Sequence, residues 1–222
     1  ERLHSHFLWL GLAAHIIGFD SLFMMCFEKR EKIMDMLETL SGNRVNYAMN
    51  IIGGARRDIN DEIEKDLREK LSILKEDFKA IFDIYANDKT VALRTKGVGV
   101  LTNEDAFIYG ACGPHGRASG MKDDVRKVDP YCSYDDFDFK AIVQAEGDVF
   151  SRAVVRLLEI EESIKIIEQA LDNIPDTPIN LGMKMPKVPK GEYFSRIEAP
   201  RGEVSYYVVS NGGQTNGRVN IH

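Results

Sequence analysis

Two segments of this chain repeat apolar residues at alternating spacings of three and four for longer than any strand or turn would. In "INDEIEKDLREKLSILKEDFKAIFDIYAN", Ile63, Leu67, Leu71, Leu74, Phe78, Ile81 and Tyr85 fall on one stripe of an α-helix. From Glu146 to Asn173, Phe150, Ala153, Leu157, Ile160, Ile164, Ile167 and Leu171 do the same, with Arg and Glu filling the other faces. A helix with one apolar stripe has to bury it. The two are therefore expected to pack against each other antiparallel or nearly so, inside a bundle of about four or more helices. Asn60 stands where an N-cap is needed, and the acids that follow it favour the positive end of the helix dipole.

The rest of the chain is read around that core. The segment "ERLHSHFLWLGLAAH" is in helical pattern from its first residue, with no lead-in or cap before it. Residues 7 to 27, "FLWLGLAAHIIGFDSLFMMCF", are long enough to cross a bilayer, yet they carry His15 and Asp20. An aspartate at mid-span costs about 3 kcal/mol on insertion, so the expectation is a helix buried by protein. A signal peptide is not the expected reading, because charged residues follow the apolar run and no small-residue cleavage site appears. The helical pattern continues from Glu28 to Leu40, and Gly42 supplies a stop.

After Asn173 the character changes. "IPDTPINLGMKMPKVPKGE" holds four of the seven prolines and reads as a connector. "YFSRIEAP", "EVSYYVVSN" and "GRVNIH" read as β-segments, with "RG" and "GGQTNG" as turns. The expected fold is mainly α: a helical bundle core over residues 1–174, a connector over 175–192 and a small antiparallel β region over 193–222, together one structural domain. Both ends look cut, as if the sequence were entered midway and left before its last strand closed.

Charge and cysteine content narrow the function. The net charge of −6 is spread along the chain with both signs mixed, so there is no basic stripe for a nucleic-acid backbone. Cys26, Cys112 and Cys132 form no CxxC pair and leave an odd thiol, which fits a reducing compartment.

Two dense stretches draw attention. "YGACGPHGRASG", residues 109–120, packs Cys112, His115, Arg117 and four glycines into a dozen positions. Cys112 and His115 would make half a zinc site, but no second pair stands at ligand spacing. A nucleophile and its base usually come from distant positions, and the glycines spell no phosphate-binding motif. A glycine-rich loop with close backbone approach is the expected reading. "GGARRD", residues 53–58, reads either as a tight turn presenting Arg56 and Arg57 to an anionic group, or as a helix start with Arg paired to Asp58. His4, His6 and His15 lie on a mostly apolar helix, where hydrogen-bonded packing is the commoner role.

In order, "ERLHSHFLWLGLAAHIIGFDSLFM", "FEKREKIMDMLETLSGNR", "NIIGGARRDI", "GVGVLTNEDAFIYGACGPHGRASGMKDDVRKVDPY", "GDVFSRAVVRLLEIEESIKIIEQAL" and "RIEAPRGEVSYYVVSNGG" resemble one family. It is the large subunit of energy-converting, membrane-associated nickel-iron hydrogenases, together with the homologous hydrogenase-like 49 kDa subunit of respiratory complex I. The resemblance covers nearly the whole chain and implies a central fragment of an oxidoreductase large subunit. Such a subunit sits peripherally on the cytoplasmic side of a membrane complex, beside an iron-sulfur small subunit that carries a 4Fe-4S cluster.

The resemblance also implies roles for residues. Arg56, Arg57 and Asp58 would border the cluster partner, and His15 and Asp20 would line an interior cavity. Gly113, Pro114, Arg117 and Gly120 match the family's G-P-x-x-R-A-S-G turn and, with Glu198 and Arg201 of "EAPRGE", form a structural signature. In the hydrogenases two CxxC pairs hold the nickel-iron (NiFe) centre; neither is in these residues, so the fragment is expected to bind no metal or cofactor and to be inactive alone. The complex I branch usually has histidine at Arg56 and aspartate at Ile16, whereas hydrogenases often have glutamate at Ile16 and histidine at Tyr206. "HSHFLWLG", "GFDSLFM" and "GGARRD" are nearer the hydrogenases, so proton reduction or hydrogen oxidation coupled to ion translocation is the expected activity of the parent. Quinone reduction and a non-catalytic scaffold role are the alternatives.

Overall fold

The computed structural model describes residues 1–183, 188–213 and 215–222; residues 184–187 of the expected connector and Gln214 of the last expected turn lie outside the described residues. In chain order the elements are α1 (Arg2–Ile16), α2 (Asp20–Ser41), β1 (Asn50–Ile51), β2 (Gly54–Ala55), α3 (Asp61–Asn87), α4 (Lys89–Thr95), α5 (Asn103–Ile108), α6 (Gly113–Ala118), α7 (Val125–Val128), α8 (Val149–Asp172), β3 (Gly191–Ala199), β4 (Gly202–Ser210) and β5 (Asn216–Ile221).

The two striped segments form α3 and α8, and their stripes meet in one apolar core. Asn60 accepts a hydrogen bond from Ile63 N–H at 2.9 Å, and Asp148 caps α8 through Ser151 N–H at 2.7 Å. Arg68 meets Asp172 and Lys75 meets Glu168, so position rises along α3 as it falls along α8, and the pair is antiparallel. Helix α2 lies along α3 with the chain reversed, Lys32 meeting Asp77 and Thr39 meeting Lys70.

The apolar run 7–27 is not one helix. It breaks at Gly18, whose φ of +75° is a left-handed conformation that a side chain resists, and Phe19 N–H bonds back to Ala14 O. The chain then returns along itself, and Gly11 lets Phe27 and Cys26 of α2 approach the α1 backbone. Phe7, Leu10, Ala14, Leu22 and Cys26 are buried, while Ile16 and Met24 face outward. Burial by protein is thus achieved by a hairpin of two helices. Among the described residues no helix is long and apolar enough to cross a membrane.

The expected class, a mainly α helical bundle with one terminal β region, is corrected by the structure. Among the described residues the chain mixes helices with two separate antiparallel sheets. The first, β1–β2, interrupts the helices between α2 and α3, and the segment after α8 bridges to its edge through Ala55 N–H to Ile179 O and Leu181 N–H to Gly53 O. The second has the order β3-β4-β5, with nine paired residues between β3 and β4. The physical reason is that β1 and β2 are two residues each, too short to show a period in the sequence, and their edge is completed by residues 179–181 from beyond α8.

Candidate functional site

The 109–120 stretch carries the short helix α6, set between α5 and a left-handed Gly120. Gly113 has φ +60°, and a Cβ there would sit 2.4 Å from Gly202 Cα, so this loop touches the β3–β4 turn backbone to backbone.

Arg117 is 0 % exposed. Its Nε and Nη2 donate to Glu159 Oε1 at 3.0 and 2.8 Å, and its Nη1 donates to Glu198 Oε1 at 2.8 Å and Asp123 O at 2.9 Å. Glu159 Oε2 in turn accepts from His6 Nε2 at 2.7 Å and Arg2 Nη1 at 3.0 Å. Glu198 Oε2 accepts from Val125 N–H, and Arg2 Nη2 donates to Glu198 O. Alongside, Arg126 holds Asp124 with two bonds at 2.9 and 2.7 Å. The network ties α1, α6, α7, α8 and β3 together at one buried point.

Its electrostatics follow from burial against pairing. Burial disfavours charge on Glu159, but the His6 hydrogen bond and the Arg117 charge outweigh it and hold the carboxyl well below the usual range. His6 is pulled down to about 4, first by burial, against the opposing pull of Glu159. We assign it as neutral, donating Nε2–H, because Arg117 and Arg2 already balance the carboxylate. Burial also works against Arg117, and the neighbouring Glu159, Glu198 and Asp124 raise it further than burial lowers it.

The hairpin residues sit elsewhere. Arg56, Arg57 and Asp58 are all exposed. Arg56 Nη2 donates to Ser41 O at 2.8 Å, at the C-terminal end of α2 where a cation is favoured, and to Tyr47 O at 3.0 Å. The Arg57 guanidinium lies over Gly42, and Asp58 accepts from Ile59 N–H. The stretch is a tight hairpin turn rather than a helix start.

His15 and Asp20 hydrogen-bond each other at 2.7 Å across the α1–α2 break, with side chains 60 and 74 % exposed. Within this chain they lie on the surface, because the Gly18 turn brings both helix ends outward. Gly113 and Pro114 are buried, Gly120 is half-buried, Glu198 is buried in the network, and Arg201 is exposed at the β3–β4 turn.

Glu159, His6, Arg2, Asp124 and Arg126 were not legible as a site in the sequence. Arg156, Glu159 and Ser163 form a second stripe on α8 at spacings of three and four, and all are buried; that spacing was the available signal. The Arg and Glu residues of α8 thus do not all fill solvent faces.

The chemistry of the residues does not suit a nickel-iron centre. Cys26 is buried, Cys112 and Cys132 are exposed and apart in sequence, and no group of three His, Cys, Asp or Glu side chains among the described residues could hold a metal ion.

One buried ion network pins the helical scaffold to an antiparallel sheet, and an arginine-bearing hairpin lies at the surface. Residues 17–185 and 180–222 match the family described as respiratory-chain NADH dehydrogenase, 49 Kd subunit, and the chain belongs to that family. It is 39 % identical over 224 residues to the D subunit of the NADH-quinone oxidoreductase of Desulfotalea psychrophila, covering all of this chain and 60 % of that protein. It is 40 % identical over 228 residues to the D subunit of the F(420)H(2) dehydrogenase of Methanosarcina mazei, covering all of this chain and 61 % of that protein. It is also 40 % identical over 223 residues to the carbon monoxide-induced hydrogenase of Rhodospirillum rubrum, covering 96 % of this chain and 59 % of that protein. The chain spans about three-fifths of the length of these relatives.

Proposed function

We propose that this chain is the structural core of an oxidoreductase large subunit that works peripherally, on the cytoplasmic side of a membrane-associated complex, next to an iron-sulfur small subunit. The observation that carries the reading is similarity across the whole chain to relatives named as oxidoreductase subunits. The buried network supports it, because it gives the framework the rigidity that electron transfer between fixed centres requires. In this reading the exposed hairpin with Arg56, Arg57 and Asp58 faces the partner's 4Fe-4S cluster. A cation beside a cluster raises its reduction potential. Arg56→Ala in the full complex is expected to lower the potential of the nearest cluster in a redox titration; an unchanged potential removes that role.

Within this class we favour the hydrogenase branch for the parent protein. The "GGARRD" stretch, nearer to the hydrogenases in the resemblance, supports it. The described residues do not form the nickel-iron centre, whose ligands the resemblance places outside residues 1–222. Quinone reduction is the second reading, favoured by the match to the 49 Kd subunit family. Elemental analysis of the purified complex separates them: stoichiometric nickel supports the hydrogenase, and a nickel-free complex that reduces a quinone supports the other.

A further inference from the structure

The β3-β4-β5 sheet has two faces of opposite character. Side chains alternate across a strand, and the register sets Tyr193, Val208 and Val219 in one row, Ser195, Tyr206 and Ile221 in the next, and Ile197 with Val204 in a third. With Gly191, Ala199, Gly202 and Ser210 at its ends, this face carries no charged side chain. The opposite face carries Glu192, Arg196, Glu198, Glu203 and Arg218. That face makes ionic contacts to the rest of the chain: Arg196 Nε donates to Asp129 at 3.0 Å, and Glu198 accepts from Arg117 at 2.8 Å.

The uncharged face is open. Tyr193, Ile197, Tyr206, Val219 and Ile221 are between 41 and 61 % exposed, side by side across three strands. A sheet that is apolar on one side buries that side against a second layer. A contiguous exposed apolar surface therefore marks a contact. Composition separates the kinds of contact. Interfaces between separate proteins ring an apolar centre with a polar, charged rim, whereas these apolar rows run the whole width of the sheet with no charge among them. That is the make-up of an interior layer. The relatives have chain to supply one, since about two-fifths of the length of each lies outside the matched region.

We propose that the apolar face of the β3-β4-β5 sheet is covered by a segment of the same polypeptide outside residues 1–222, packed on Tyr193, Tyr206, Val219 and Ile221 as an inner layer. No separate subunit takes this face. The proposal rests on the reading of this chain as the core of a longer subunit, and it leaves the contact with the iron-sulfur partner to the Arg56 hairpin.

The test uses the full-length chain, both alone and in its complex. Hydroxyl-radical footprinting of the unmodified protein is expected to show loss of oxidation at Tyr206, Val219 and Ile221, relative to the same chain in urea, in the complex and in the isolated chain held monomeric by dilution. Tyr206→p-benzoyl-phenylalanine then identifies the cover. On irradiation its ketone carbon adds across a neighbouring C–H bond, and peptide mass spectrometry is expected to find that link within one chain, on a residue outside 1–222. Oxidation at the unfolded level in both preparations, or protection that appears only in the complex, overturns the proposal. So does a link to another subunit, to a second copy or to residues 1–222 alone. If the variant does not fold or does not link, the footprint decides, because it needs no substitution. A link to another subunit leaves the oxidoreductase reading standing, and a complex without redox activity removes that reading whatever covers the sheet.

Discussion

Replacing Glu159 by Gln keeps the shape of the side chain and removes its charge. Arg117, fully buried, then keeps Glu198 as its remaining hydrogen-bonded carboxylate, and Arg2 keeps only carbonyl partners. If the amide oxygen stays with Arg117, the amide N–H groups point at His6 Nε2–H and Arg2 Nη1, donor against donor. His6 can change tautomer to accept; Arg2 cannot. Breaking a buried pair by removing one partner costs about 3–5 kcal/mol. The assay is urea unfolding of the purified protein, reading the shift of the midpoint at constant slope. Glu161→Gln, exposed on the same helix, is the control and should stay within about 0.5 kcal/mol. Adding Arg117→Met to Glu159→Gln should cost less than the two single losses together, because the second change removes the orphaned charge. A Glu159→Gln loss below about 1 kcal/mol, or one equal to the control, would show that the network is not what pins the helices to the sheet.

Three further outcomes are expected. His6 is held at about 4 in the folded chain and titrates near 6.5 when unfolded, so the unfolded chain binds more protons between those values; stability is full above pH 6.5 and falls toward pH 4, by about 3 kcal/mol from His6. Denaturant midpoints at pH 7, 5.5 and 4.5 check this, and a gain in stability on acidification contradicts it. Gly113→Ala and Gly54→Ala should each cost more than about 1 kcal/mol, because both residues have positive φ and the new Cβ would lie 2.4 Å from Gly202 Cα and 2.2 Å from Ile179 O; thermal melts compared with Gly97→Ala, where strain acts without a clash, measure the difference. Iodoacetamide should label Cys112 and Cys132 quickly and Cys26 only on unfolding, since burial pushes the Cys26 thiol up to about 12; labelling of Cys26 at the same rate in the native protein would contradict its placement.

The long helices were legible because their information is local. A spacing of three and four over Ile63–Tyr85 or Phe150–Leu171 fixes which face is buried whatever lies opposite, and Asn60 and Gly42 mark ends by their own backbone chemistry. The three terminal β-segments were legible for the same reason. The signature residues Gly113, Arg117 and Glu198 were legible as a group only through the resemblance to a family; their own spacing contains nothing that joins positions 117 and 198.

Tertiary structure decided everything that depends on residues far apart in sequence. It turned the apolar run 7–27 into a hairpin, since Gly18 permits a break there but packing of both arms into the common core is what makes the chain take it. It added the β1–β2 sheet, whose edge is completed by residues 179–181. It placed His15 and Asp20 at the surface. Above all it gathered Arg2, His6, Arg117, Glu159 and Glu198 from separate places in the chain. A buried charge is stable only where its partners converge, and that convergence is a property of the packed chain, which the order of its residues alone does not display.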